Sequence, residues 1–585
     1  MDKAFVPAAL IRFLAVVGAV CLLLVLLAFS AGFYLRSSQN RISSKTILEM
    51  DLRDGVGQNY PSGAGSLFLK KQPAVIAITQ AIDAACRDKR VVGLIGRIGG
   101  SQIAFADVQE IRDAVKRFRE SGKTAVAFAE SFSETGSGNS SYYLAASFDS
   151  VFMQPSGTLG LTGIISEAAF YRKALDKLGV IARLGARKDY KTYRNQFLDT
   201  AFTPQHKESS LSIIESVSKV MSADIAKDRD MDESKFNELV SSAPYTGPAA
   251  FEAGLVDGLA YRDQVFERMR RDAGKGSGFL YLNHYMRKIK RPKERGKSIA
   301  LVYGEGAIVS GKTTVNPISS SISMGSESVS AALRAAVKDK SVGAVIFRVN
   351  SPGGSYNASD EIWREVKQAR SSGKPVVVSM GAVAGSGGYF VSMDADRIIA
   401  HPSTITGSIG VVSGKFVATG LFNMLGITFD DVLTSPNADI WSPLHDYSEE
   451  QWSMMQSWLD TMYNDFVTRV SQARKIDMEE MLSLAQGKIY TGAQAVENGL
   501  VDTLGGFYDA VASAKHLMGV GEEKVLPIKV FPRRKSLLER LFGNRARSSE
   551  DVAEVSAMSA YPRLKMDNIF NPVGDILMMD VPNVR

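Results

Sequence analysis

Two glycine-rich stretches hold the residues best suited to chemistry. One is Ala384-Gly-Ser-Gly-Gly-Tyr389, and the other is Arg348-Val-Asn-Ser-Pro-Gly-Gly-Ser355. A serine on a tight turn flanked by glycine presents its hydroxyl without side-chain obstruction, and the backbone N–H after it points into the same space. A second Gly-Gly loop supplies another N–H. The pair suits acyl transfer by a serine nucleophile beside an oxyanion hole worth ~2.7–4 kcal/mol per donor. The same residues also fit a plain strand-to-helix connection or a phosphate cradle. They do not form a Walker A loop, because no Gly-Lys-Ser/Thr follows at the required spacing. Five scattered histidines, with no C-x-x-C and no H-E-x-x-H, argue against a metal enzyme. No cofactor is expected. Of the two cysteines, Cys21 lies in an apolar run, which argues against a structural disulfide.

Both stretches stand at the ends of β-branched runs that alternate with helical patterns. Ser298–Val302, Val342–Val349 and Pro375–Met380 read as strands, and Val329–Lys338 and Ala358–Ser371 as helices. Near-continuous apolar strands separated by helices predict an α/β fold with a mostly buried parallel sheet. The pattern occurs twice. Tyr245-Thr-Gly-Pro-Ala-Ala-Phe-Glu-Ala-Gly-Leu-Val-Asp257 returns as Tyr490-Thr-Gly-Ala-Gln-Ala-Val-Glu-Asn-Gly-Leu-Val-Asp502, 245 residues later. Pro155-Ser-Gly-Thr-Leu-Gly160 matches Pro402-Ser-Thr-Ile-Thr-Gly407 at 247, and Ser121-Gly-Lys123 matches Ser372-Gly-Lys374 at 251. A register that drifts by only a few residues marks two copies of one domain, at 45–265 and 298–518. The copies also act as a control on the glycines. Ser386-Gly-Gly-Tyr389 corresponds to Asn139-Ser-Ser-Tyr142, and the Pro-Gly-Gly loop has decayed as well. Glycines needed only for folding would be required in both copies, so the nucleophile belongs to the second.

The 585 residues have a net charge of +7, but Arg268–Lys297 alone holds 11 Lys/Arg against 2 Asp/Glu. The excess is therefore local. It predicts a basic connector over 266–297 rather than a nucleic-acid-binding face, with anionic headgroups as the other partner it could meet. Phe13 to Leu35 is uncharged between Arg12 and Arg36. At ~1.5 Å per residue it spans ~34 Å, enough for a ~30 Å hydrocarbon core. A retained transmembrane anchor is favoured over a cleaved signal, although Ala28, Ser30, Ala31 and Gly32 resemble a cleavage site. Flanking charge leaves the orientation open. Residues 1–12 form an N-terminal flank, and the α/β pattern ends near Gly519. In the tail 519–585, Leu537, Leu538, Leu541 and Phe542 fall at helical spacing within basic Arg533–Arg547, as in a surface or lipid-facing helix or a weakly ordered tail.

Taken together, Asn350-Ser-Pro-Gly-Gly-Ser355, Gly385-Ser-Gly-Gly-Tyr389, Pro402-Ser-Thr-Ile-Thr-Gly-Ser-Ile-Gly410 and Tyr490-Thr-Gly492 with Gly499-Leu-Val-Asp502 resemble the long, tandem-repeat form of the signal peptide peptidase A (protease IV) family. The resemblance implies two tandem domains of the Clp protease/crotonase-like fold behind an N-terminal transmembrane helix. It also implies a serine endopeptidase with a Ser–Lys dyad, the serine from the second repeat and the lysine from the first. The family's lysine pattern is Tyr-Lys-Ser/Thr, an aromatic six residues on, and Ser/Thr-Pro at twelve and thirteen. Tyr190-Lys191-Thr192 with Phe197, Thr203 and Pro204 fits it, giving Lys191 as base and Ser386 as nucleophile. Lys188 competes, because the family places Gly three residues before the lysine, and Gly185 sits there. Ser408 matches the serine that orients the lysine, and Gly354 and Gly387 match the oxyanion donors. His401 has Gln154 as its counterpart and reads as structural. A lysine base must be neutral, so burial has to bring it below its free pKa of ~10.4. The resemblance further implies hydrophobic peptide substrates such as released signal peptides, a bacterial inner-membrane location with the catalytic part on the periplasmic side, and a homotetramer. The alternatives are an inactive membrane scaffold and a crotonase-like acyl-CoA enzyme, which would not need Ser386.

Overall fold

Apolar β-branched runs closed by Gly, Asp or Ser form the strands, and helices with one apolar stripe cover them. The computed structural model describes residues 17–18, 22–23, 42–58, 73–134, 136–289, 296–316, 321–532, 576–578 and 583–584. The anchor expected at 13–35, apart from those four residues, and the basic segment 533–547 lie outside the described residues. Among the described residues, no helix is long and apolar enough to cross a membrane.

The first unit has β1 (Thr46–Asp51), β2 (Val91–Arg97), β3 (Thr124–Ala129), β4 (Ser150–Met153), β5 (Thr158–Leu159), β6 (Ser166–Glu167), β7 (Ile181–Arg187), β8 (Tyr245–Thr246), β9 (Gly258–Leu259) and β10 (Gly278–Tyr281). Its main sheet runs β10-β1-β2-β3-β4-β9, every pair parallel. The second unit has β11 (Ser298–Glu305), β12 (Ala307–Val309), β13 (Ser323–Gly325), β14 (Val342–Ser351), β15 (Gly353–Ser355), β16 (Val376–Gly385), β17 (Arg397–Ala400), β18 (Ile405–Gly407), β19 (Val411–Val417), β20 (Ile489–Thr491), β21 (Thr503–Leu504) and β22 (Ile528–Phe531). There β22-β11-β14-β16-β17-β21 repeats the first order strand for strand.

The duplicated motifs do the same work in both units. The hydroxyl of Tyr142 donates to the Leu255 carbonyl, and that of Tyr389 donates to the Leu500 carbonyl. The carboxylates of Asp257 and Asp502 each accept a strand N–H, from Val151 and Ile398. These contacts tie a helix and a strand edge to the returning Gly-Leu-Val-Asp turn, which is why they survive in both copies.

The basic stretch is not bare linker. It enters the helix Arg262–Ala273, then β10, then the helix Leu282–Lys288. Val265 and Met269 are buried on that first helix, while Arg268, Arg270 and Arg271 face solvent. Counting charge weighs only the exposed face, and β10 is the edge that matches β22. Both units therefore extend past the boundaries read from the repeats.

Two contacts join the units. β7 of the first pairs antiparallel with β19 of the second, from Arg187 opposite Val411 to Ile181 opposite Val417. Arg348 on β14 forms a 2.7 Å ion pair with Glu110 of the first unit, with both side chains buried. A third sheet, β13-β12-β15-β23-β19-β7, includes β23 (Ile576–Met578), and β24 (Asn583–Val584) pairs with β6.

Candidate active site

Ser386 stands between the end of β16 and the short helix Gly387–Phe390, with φ 54° and ψ −114°. A non-glycine residue there stores ~1–3 kcal/mol, a conformation found where function needs it. The turn is held from both sides. The Ser386 N–H donates to the Gly407 carbonyl on β18, and Tyr389 fastens the helix behind it.

The oxyanion loops face each other. β15 carries Gly354 against β12, where a Cβ would come within 2.1 Å of the Ile308 carbonyl oxygen. A Cβ on Gly387 would come within 3.1 Å of the Gly354 amide nitrogen and 2.8 Å of Ser359 Oγ. Only glycine allows these two backbones to approach so closely. The upstream ends are also fixed. Asn350 Oδ1 accepts the Val383 N–H at 3.1 Å, and Arg348 donates to Ser379 Oγ at 2.8 Å and to the Met380 carbonyl at 3.1 Å.

Lys191 arrives from the other unit. β7 delivers the chain alongside β19, and Lys191 follows four residues after its end. Its Nζ lies 2.7 Å from Ser386 Oγ, 3.0 Å from Ser408 Oγ and 2.9 Å from the Ser408 carbonyl oxygen, all within one chain. The side chain is only 1% exposed, and burial pushes its amine well below the ordinary lysine value. The residues after it explain the spacing motif. Phe197 packs edge-on against Phe416 of β19 at 5.2 Å, and Thr203 caps the helix Pro204–Asp228, whose first residue is Pro204.

The competing lysine is elsewhere. Lys188 Nζ sits over the Tyr463 ring at 5.5 Å, and Gly185 packs against the helix Glu449–Arg474, where a Cβ would meet Leu459. His401 is buried near Glu110 and Asp113 at the junction of the units. In the first unit, Asn139 holds the place of Ser386, buried and donating to the Gly163 carbonyl at 2.5 Å. Sequence reasoning missed the clamp made by residues 486–488. The Tyr190 N–H donates to the Gln486 carbonyl, and the Ser408 N–H to the Lys488 carbonyl. A Cβ on Gly487 would lie 2.6 Å from the Lys191 nitrogen. The only available signal was the neighbouring Tyr490-Thr-Gly motif, whose strand β20 pairs with β18.

The arrangement offers a hydroxyl on a strained turn, an amine that burial keeps from charging, and two facing glycine loops. That set suits acyl transfer. The profile of peptidase family S49 matches residues 117–275 and 368–521. Protease 4 of Salmonella typhi is 33% identical over 469 residues, covering 78% of this chain and 74% of that protein. Protease 4 of Haemophilus influenzae is 31% identical, covering 76% and 72%. The chloroplastic serine protease SPPA of Arabidopsis thaliana is 26% identical, covering 81% and 69%.

Proposed function

The chain belongs to peptidase family S49 and is a serine protease, and we propose that Ser386 is its nucleophile, Lys191 its general base, Ser408 the group that orients the amine, and the N–H groups of Gly354 and Gly387 its oxyanion hole. The observation that carries this reading is the 2.7 Å approach of a buried lysine amine to the hydroxyl of a strained serine. A neutral amine has two N–H groups and one lone pair. It donates both to Ser408 and accepts from the Ser386 hydroxyl, matching its three neighbours.

Lys191 takes the Ser386 proton as Oγ attacks the peptide carbonyl carbon. The oxyanion lies on Gly354 and Gly387, and the lysine ammonium then gives its proton to the departing amine as the C–N bond breaks. Water, deprotonated by the same amine, opens the ester and returns the proton to Ser386. Hydrophobic peptides such as released signal peptides are the proposed substrates. The residue 13–35 run is the proposed anchor, which would hold the catalytic units at the periplasmic face of a bacterial inner membrane, and the proposed assembly is a homotetramer.

Ser386→Ala and Lys191→Ala should each lower kcat/KM on a hydrophobic peptide by ~10³-fold or more, with unfolding curves close to that of the parent. A serine-reactive fluorophosphonate should label Ser386, as read by peptide mapping. Full activity in either variant would refute the assignment.

A further inference from the structure

The third sheet is continuous only because β23 lies inside it. Take β23 away, and β13-β12-β15 and β19-β7 are two separate ribbons with a slot one strand wide between them. The walls of that slot are the active site's own elements. β15 contains Gly354, β19 starts three residues after Ser408, and β7 leads to Lys191. β23 fills the slot antiparallel to both walls, with Ser355 and Val412 flanking Ile576 and with Gly354 opposite Leu577. Five residues after β23, β24 pairs with β6, Asn583 opposite Glu167 and Val584 opposite Ser166. The C-terminal segment is thus pinned by backbone pairing to the second unit at the site and to the first unit beyond it.

We infer that the slot between β15 and β19 is a binding site for this chain's own C-terminal segment, which competes with peptide substrate for the strand position beside Ser386. The inference rests on the catalytic reading above. Backbone addition to two strand edges tolerates many side chains, so the same slot accepts an extended peptide from solution. Ile576-Leu577-Met578 is itself apolar, the chemistry proposed for the substrates. Being tethered gives the tail an effective concentration in the ~mM range, which a free peptide must exceed or displace.

Ile576→Pro with Leu577→Pro, in the full chain, removes two backbone donors and clashes with a central strand position. This double variant should raise kcat/KM and the rate of fluorophosphonate labelling by about fivefold or more, given the loss of a tethered competitor. Unchanged rates would overturn the inference. A second measurement does not depend on catalysis. A fluorescent synthetic peptide of residues 573–585 is titrated against Ser386→Ala chains by anisotropy. It should bind the chain carrying both prolines, and at least about tenfold more weakly the chain with its tail unaltered. Absent or equal binding would overturn the inference. Because these chains are inactive by design, this result decides the tail's role even if no chain hydrolyses peptide, an outcome that would refute the catalytic reading.

Discussion

Lys191 is costly to the fold for the same reason that it is useful. Its amine is buried among Ser386 and Ser408, and burial lowers its pKa well below that of a free lysine. A lysine of depressed folded pKa contributes most to stability above the free value, and that contribution is lost as pH falls toward the folded value. At neutral pH the fold therefore carries a penalty that a neutral side chain of similar length would not. Lys191→Met should raise the thermal midpoint at pH 7 while abolishing peptide cleavage, as checked by calorimetry beside an activity assay. In the parent, kcat/KM should rise along an acidic limb as the amine loses its proton, with a midpoint well below 10.5. A limb at the free-lysine position would exclude Lys191 as the base. Ser386 is legible in sequence because Asn139, its counterpart, shows what the position becomes without chemistry. Gly487 is not, because its reason for being glycine is the Lys191 backbone, which lies almost three hundred residues away in the chain.

At the scale of elements, the repeated tyrosines separate folding from catalysis. Tyr142 and Tyr389 each sit in a short helix and donate to the carbonyl of the leucine in the returning turn. Removing one hydroxyl leaves a buried carbonyl unpaired, at ~1–3 kcal/mol. Tyr142→Phe and Tyr389→Phe should therefore destabilise the chain by similar amounts in denaturant titrations. Only Tyr389→Phe should also lower kcat, because its helix begins at Gly387, beside Ser386. Equal kcat values in the two variants would show that the turn is held without this bond. The alternation of apolar strands and helices predicts the parallel sheets, because each strand is buried on both faces and reads as one continuous run. The spacing motif after Lys191 is legible as a pattern but not as a mechanism. Only the fold shows that Phe197 packs on Phe416 and that Thr203-Pro204 starts a helix. The pairing of β7 with β19 left no local signal, since a strand edge does not encode which distant edge it meets.

At the scale of the whole molecule, the two units are welded by buried charge, and that weld sets how stability depends on pH. Arg348 stands three residues before the Ser351 loop and is paired with Glu110, whose pKa falls to about 2 because Arg348 and His401 outweigh its burial. Two further carboxyls crowd the same cation. Burial raises Asp107 to about 6 and Glu305 to about 7, and each carboxyl adds to the other's cost of ionising. One guanidinium satisfies one buried carboxylate, and the remaining acids keep their protons. A carboxyl whose folded pKa is raised contributes stability that is complete below its unfolded pKa and is lost as pH climbs through the folded value. For Asp107 and Glu305 that window runs from about pH 4 to just above 7. The sequence shows that two copies were joined, but it does not show this cluster, whose members come from three separate strands and helices of both copies. Glu305→Gln imitates the protonated acid at every pH. It should leave stability near pH 5 almost unchanged, raise it near pH 8, and so flatten the decline of the unfolding midpoint between those values. The comparison is made by thermal melts of parent and variant across that range, and parallel curves would mean that Glu305 ionises freely in the folded chain.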